Sequence, residues 1–244
     1  MLIEALKTDY TPGFESAWHS SEFAQLIYPS EGVMTLHLNR GMWVIPPMRA
    51  YWLPPFEQHK VTAESRLQMH SVYCSSPSID RGSRDAGVVQ VSSLLRATIL
   101  ALEAACGKSN KSLRHLALVF KDEIAIEPSC ANLLLPSLSA SRLAPIAAAL
   151  RRNPGDGRTL QKWAQALGTT PRTLSRAFQR DAHMSFRHFR EQLRLHEAMV
   201  RLAKKQPVTS VAHDLGFGSA SAFIASFRRA TERTPGRYFS APVD

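Results

Sequence analysis

One pattern, written twice, limits what this chain can become. Ala164 lies four residues before Gly168, and Leu174 follows six residues after it. A small residue lets two helices approach, a glycine supplies a sharp turn, and a later apolar residue anchors a second helix. This spacing predicts a helix-turn-helix. Ala212 and Gly216 repeat the interval, with one extra turn residue before the anchor Phe223. Between the copies, Phe189, Leu193, Ala198, Met199 and Leu202 recur at helical spacing, with Ser185 as N-cap, so one long helix from Phe186 to about Lys204 joins the two units. A pair of such units is far more specific than one.

The charge follows the same division. Residues 142–244 hold 18 Lys and Arg against 7 Asp and Glu, a net +11, while residues 1–141 hold 12 against 13, a net −1. A polyanion is therefore met by the C-terminal part. Cys74, Cys106 and Cys130 form no Cys-x-x-Cys pair, which argues against a disulfide framework or a zinc ribbon and for reduced thiols in the cytoplasm. Glu4 and Asp9 interrupt any signal core, and no apolar run approaches the ~20 residues of a membrane span.

Gly216-Phe-Gly-Ser-Ala-Ser-Ala-Phe-Ile-Ala-Ser-Phe-Arg-Arg229, followed by Thr234-Pro-Gly-Arg-Tyr238, resembles the DNA-binding domain of the AraC/XylS family of bacterial transcription regulators. The resemblance covers roughly Arg142 to Phe239. It implies binding to double-stranded DNA, repeated sites for dimers, an effector that changes how the DNA-binding pair is presented, and contact with RNA polymerase. It also implies neighbouring transporter genes as targets.

Within the repeat, each unit has an inner and an outer helix face. Pro171 opens the first recognition helix, where proline is welcome in the first turn. Leu174, Ala177 and Phe178 face inward there, leaving Arg172, Thr173, Ser175, Arg176 and Gln179 to meet DNA. An arginine can bridge the O6 and N7 acceptors of guanine, whereas Arg180 is placed for phosphate. Ser219 caps the second recognition helix; Phe223 and Phe227 face inward, and Ala220, Ser221, Ile224, Ala225 and Arg228 face out. That second surface is poor in base-specific donors and acceptors and suits thymine methyls and phosphate. Arg187, Arg190, Arg194 and Arg201 on the connecting helix read mostly as solvated.

Residues 1–80 read as short strands: Gln25–Tyr28, Gly32–Leu38, Trp43–Ile45, Tyr51–Leu53 and Gln68–Tyr73, broken by glycine and proline. They predict a small barrel or sandwich. The order Gln25-Leu-Ile-Tyr, Glu31-Gly, Pro46-Pro, Trp52-Leu-Pro, His59 is similar to the cupin-type sensor domain of a subgroup of these regulators. Cupins hold metals with histidine pairs, but here Ser21 and Met48 stand where further histidines would be expected, leaving His19 and His59, with His37 and His70 elsewhere. No metal and no cofactor are expected. A small-molecule pocket remains compatible with this wall, lined by Trp18, Gln25, Trp43, Trp52 and His59. Val88, Val91, Leu94, Leu95, Ile99 and Leu102 predict an amphipathic helix to Cys106, and Leu113, Leu116, Ala117 and Phe120 a second; such a pair can cover the barrel or meet a second copy of the chain.

The fold class expected is α+β in two domains: a small cupin-like β-barrel with following helices at 1–126, a linker at 127–141, and an all-α domain at 142–240 with helix-turn-helix motifs at 159–180 and 207–231. No nucleophile–base pair, phosphate loop or paired carboxylate points to catalysis. The function expected is a sequence-specific transcription regulator controlled by an effector in the barrel. A metal-dependent cupin enzyme fused to a DNA-binding module and an architectural DNA binder are the alternatives.

Overall fold

The computed structural model describes residues 2–75, 86–105, 110–124, 134–138, 140–231 and 233–239. They form two compact units, one of Met1–Leu38 with Val44–Ala131, the other of Asn39–Trp43 with Asn132–Asp244. Cys106 and Cys130 lie outside the described residues, as do 127–133 and 139 of the expected linker.

Strand alternation builds the first unit. The strands are β1 (Leu2–Tyr10), β2 (Phe14–Glu15), β3 (Ala24–Glu31), β4 (Met34–Leu38), β5 (Gly41–Ile45), β6 (Arg49–Leu53), β7 (His59–Ala63), β8 (Leu67–Ser75) and β9 (Gly87–Gln90), and of these only β5 is divided, with Gly41–Trp43 counted in the second unit. One sheet runs β1-β8-β3-β6-β9; in the other, β5, β4, β7 and β2 are successive neighbours. In the first sheet Leu26 faces Val72 and Trp52 across the ladders, and Gln25 faces Tyr73 and Leu53. Successive side chains leave opposite faces. Leu26, Tyr28, Ala50, Trp52, Val72 and Cys74 thus share a core with Leu95, Ile99, Leu102, Ala117 and Phe120 of α1 (Ser93–Ala104) and α2 (Asn110–Glu123). Gln25, Ile27, Tyr51, Leu53 and Ser71 are buried on the other face, as are Met34, Leu36, Leu38, His59 and Val61 on one face of the second sheet. These are the inner walls of a cupin-like domain.

Two details differ from the sequence reading. Val88 belongs to β9, paired with Tyr51, and not to a helix. The valines at 88 and 91 fit a helical stripe, but Ser92 accepts a hydrogen bond from the Leu95 amide at 2.9 Å and starts α1 there. β1 carries no alternation legible in the sequence, because among its described side chains Ile3 and Ala5 alone reach the core and the others are polar or exposed. Polar atoms tie helix to sheet: buried His70 meets Glu103 of α1 through Nδ1 at 2.5 Å and the Ser30 hydroxyl through Nε2 at 2.7 Å.

The second unit is helical: α3 (Ala144–Arg152), α4 (Leu160–Ala166), α5 (Pro171–Ala177), a π-helical turn (Phe178–Ala182), α6 (Phe186–Ala203), α7 (Val208–Asp214), α8 (Ala220–Thr231) and α9 (Pro235–Phe239). Ser141 lies ahead of the first helix of this unit. Its hydroxyl accepts from the Leu143 amide at 3.1 Å and donates to Asp181, while α3 begins at Ala144 with Pro145 in its first turn. A short strand β10 (Leu135–Pro136) pairs with Met42 and Gly41. Leu135 and Leu138 are buried with Leu143, Ile146, Leu150, Trp163, Leu174, Phe178 and Phe189 in one core. Two leucines spaced three apart leave no period to read, so this anchoring was not visible in the sequence.

Candidate nucleic-acid interface and effector site

Each recognition helix is placed by a cap in front, a glycine turn behind its partner and an apolar face beneath. In the first head, Thr159 caps α4 and Thr170 caps α5 by accepting from the Lys162 and Thr173 amides. Gly168 takes φ +61° in the turn between them. Leu174, Ala177 and Phe178 are buried, and Trp163 packs into the same core. Arg172, Thr173, Ser175 and Arg176 stand exposed on α5, and Gln179 stands exposed in the π-helical turn that follows it. The Thr173 hydroxyl is 2.9 Å from that of Thr170, so it is partly committed to its own helix turn. The Arg180 guanidinium folds onto Asp181 at 2.5 Å and holds that carboxyl down to about 2, with help from Ser141.

In the second head Gly216 takes φ +70° and the Ser219 hydroxyl accepts from the Ala222 amide at 3.0 Å. Rings build the support: Phe217 to Phe223 at 5.1 Å, Phe223 to Phe227 at 5.7 Å and Phe227 to Tyr238 at 5.2 Å between centroids. Such edge contacts contribute about 0.5–1.5 kcal/mol each beyond the area they bury. Ser221, Ala225 and Arg228 are exposed, and Ala220 and Ile224 half-buried, on the free side of α8.

The connecting helix does more than the sequence reading gave it. Arg187 is exposed, but Arg190 donates to the Arg158 carbonyl at 3.1 Å and Arg201 to Glu197 at 2.7 Å. Arg194 donates to two carbonyls, Pro154 through Nε and Gly216 through Nη1, both at 3.0 Å. Arg158 in turn forks onto Asp156 and lies 3.6 Å above the Trp163 ring. The Arg201–Glu197 pair is local, four residues apart on one helix, whereas the carbonyl partners of Arg190 and Arg194 are distant in the chain and meet them only in the folded domain.

The five residues expected to line an effector pocket are not one cluster. Gln25 and His59 lie on the inner walls, each at or below 4% exposure. Trp52 projects from the other face of its sheet into the core under α1 and α2. Trp43 is buried in β5, and Trp18 is 48% exposed in the loop before β3. Two polar groups not singled out in the sequence stand beside Gln25: the Ser71 and Tyr73 hydroxyls accept from its Nε2 at 3.2 and 3.1 Å. Their odd positions on β8, in register with Gln25 and Ile27, are the signal that identifies them. His59 Nδ1 is 3.0 Å from the Glu57 carbonyl and its ring lies 4.2 Å from that of His19. His37 meets Thr62. Among the described residues no group of three or more His, Cys, Asp or Glu side chains could hold a metal ion, and no helix is long and apolar enough to cross a membrane.

Comparison with known proteins finds two family models. Residues 3–119 match the AraC-like ligand binding domain and residues 163–241 a helix-turn-helix domain. The HTH-type transcriptional regulator NimR of Escherichia coli K12 is 30% identical over 234 residues, covering 94% of this chain and 84% of that protein. The HTH-type transcriptional regulator RipA of Corynebacterium glutamicum is 33% identical over 109 residues, covering 44% of this chain and 33% of that protein. Among solved structures, unsaturated fatty acid-bound ToxT from Vibrio cholerae is 11% identical, with a TM-score of 0.40 over 97% of this chain and 94% of that one.

Proposed function

Because the chain belongs to the AraC family of helix-turn-helix transcription regulators, we propose that it reads a two-part DNA site with α5 and α8 and changes transcription when a small molecule enters its N-terminal domain. One observation carries the reading: two capped, glycine-turned helix pairs present exposed side chains on α5 and α8, on the part of the chain that holds the net positive charge. Arg172 and Arg176 are the base readers, supported by Ser175 and Gln179, with Thr173 closer to the backbone. Ala220, Ser221, Ile224 and Ala225 supply small and methyl contacts, and Arg228 holds phosphate. In this reading the domains fall at 1–126 and 142–240. The protein acts in the cytoplasm without catalysis, in contact with RNA polymerase.

Gln25, Ser71, Tyr73 and His59 are the polar groups available to an effector inside the sensor domain. Trp18 stands in the loop that precedes β3, and Trp43 and Trp52 support the walls. The helix pair α1 and α2 carries exposed Leu94, Leu100 and Leu118, a surface that favours pairing with a second copy. The test is binding to a random-sequence DNA pool at fixed salt, with recovery and alignment of the retained duplexes. A recovered motif of two blocks supports the reading; retention without any motif refutes it.

A further inference from the structure

We propose that Arg194 is the positioning residue that fixes the two heads relative to each other, and so sets the spacing between the two DNA blocks that the chain accepts. The proposal rests on the two-headed reading above. A single helix such as α6 fixes an axis and a length, but each head can still pivot about the turn at its own end of that helix. At the exit, Lys205 takes φ +59° before Pro207 starts the second head. Something besides the helix has to hold the heads.

Arg194 is placed to do so. It is half-buried on α6, and its guanidinium reaches Pro154 in the loop that leads into the first head and Gly216 in the turn of the second. It also lies 5.7 Å from the Phe217 ring centroid. The two backbones meet beside it. A Cβ added at Gly155 would lie 2.4 Å from the Asp214 carbonyl oxygen, and one at Gly216 would lie 2.9 Å from the Gly155 carbonyl oxygen and from Arg194 Nη2. Two glycines therefore allow the contact and one arginine bridges it.

Arginine suits this task because its donors form a planar fork that can serve carbonyls in two directions; a lysine ammonium offers one compact charge on a flexible stem. Asp156 is nearby, but its carboxylate is engaged by Arg158. With Nε and Nη1 given to carbonyls, Arg194 is built to hold protein and not phosphate.

The experiment uses the full chain and the two-block duplex that the wild-type protein recovers from a random pool. Affinity is measured for that duplex, for versions with the spacer one base pair longer or shorter, and for a duplex with the first block alone. One base pair turns the second block by about a tenth of a helical turn, so the wild type is expected to lose about tenfold on either change. Arg194→Gln and Arg194→Lys are both expected to lose less than about threefold on those changes, while binding the first block alone within about twofold of wild type. A spacing penalty that stays at the wild-type value in both variants overturns the proposal. So does an equal loss on the single block and the full site, which marks a phosphate contact, and so does loss of cooperative melting in both variants, which marks a residue needed for folding. If the wild type recovers no two-block site, the two-headed reading itself fails and this inference falls with it.

Discussion

At the scale of single residues, the outward side of α5 and the interior of the sensor domain lead to separate tests. Each bidentate arginine–guanine pair contributes about 1–3 kcal/mol of discrimination, so Arg172→Ala and Arg176→Ala are expected to weaken the selected site by that amount and to leave scrambled DNA nearly unaffected. Equal losses on both DNAs would make them phosphate contacts. In the sensor domain, burial pushes the His59 imidazole below its ordinary value, the Glu57 carbonyl pulls it part of the way back, and His19 pushes it further down. The unfolded chain takes up this proton near pH 6.5 while the folded chain resists it. His59 therefore contributes its full stability above about pH 6.5, and stability falls as the pH drops below that value. Thermal midpoints from pH 7.5 down to about 5.5 should show a shallower decline in His59→Gln than in the wild type; parallel curves would show that His59 is not the group responsible.

Among the elements, the two turns are alike in backbone and different in surroundings. Gly168 and Gly216 both take left-handed φ, but nothing lies within 4 Å of a Cβ at Gly168, whereas one at Gly216 would press on backbone and on Arg194. Gly168→Ala should cost only the conformational strain, about 1–2 kcal/mol. Gly216→Ala should cost clearly more, because its Cβ would come within 2.9 Å of the Gly155 carbonyl oxygen, a backbone atom, and of Arg194 Nη2. Denaturant melts of the two variants decide this, and equal losses would mean that the contact relaxes freely. The same pair shows how much the sequence could tell. The Ala-to-Gly interval, the apolar anchors, Pro171 and the Ser185 and Ser219 caps are local signals, and α4 through α8 follow from them. The Gly155–Gly216 approach, the Arg194 bridge and the pairing of Gln25 with Ser71 and Tyr73 join residues distant in the chain, and no periodicity encodes such meetings. Val88 shows the reverse case, a local pattern that fitted a helix and was overruled by pairing with β6.

For the whole molecule, charge and the paired heads make joint demands. Net charge is confined to the C-terminal part, so affinity should fall steeply with salt, by about 10³–10⁵ between 50 and 200 mM if six to ten phosphates are met. A nearly flat salt response would place the basic residues away from the DNA. Two heads held by one helix are expected to enter successive major grooves on one face of the duplex. The decisive measurement is a map of bound sites across the genome of the source cell. A few sharp peaks are expected, sharing a motif of two unlike blocks centred about 34 Å, one helical turn, apart. Broad occupancy with no shared motif would contradict it.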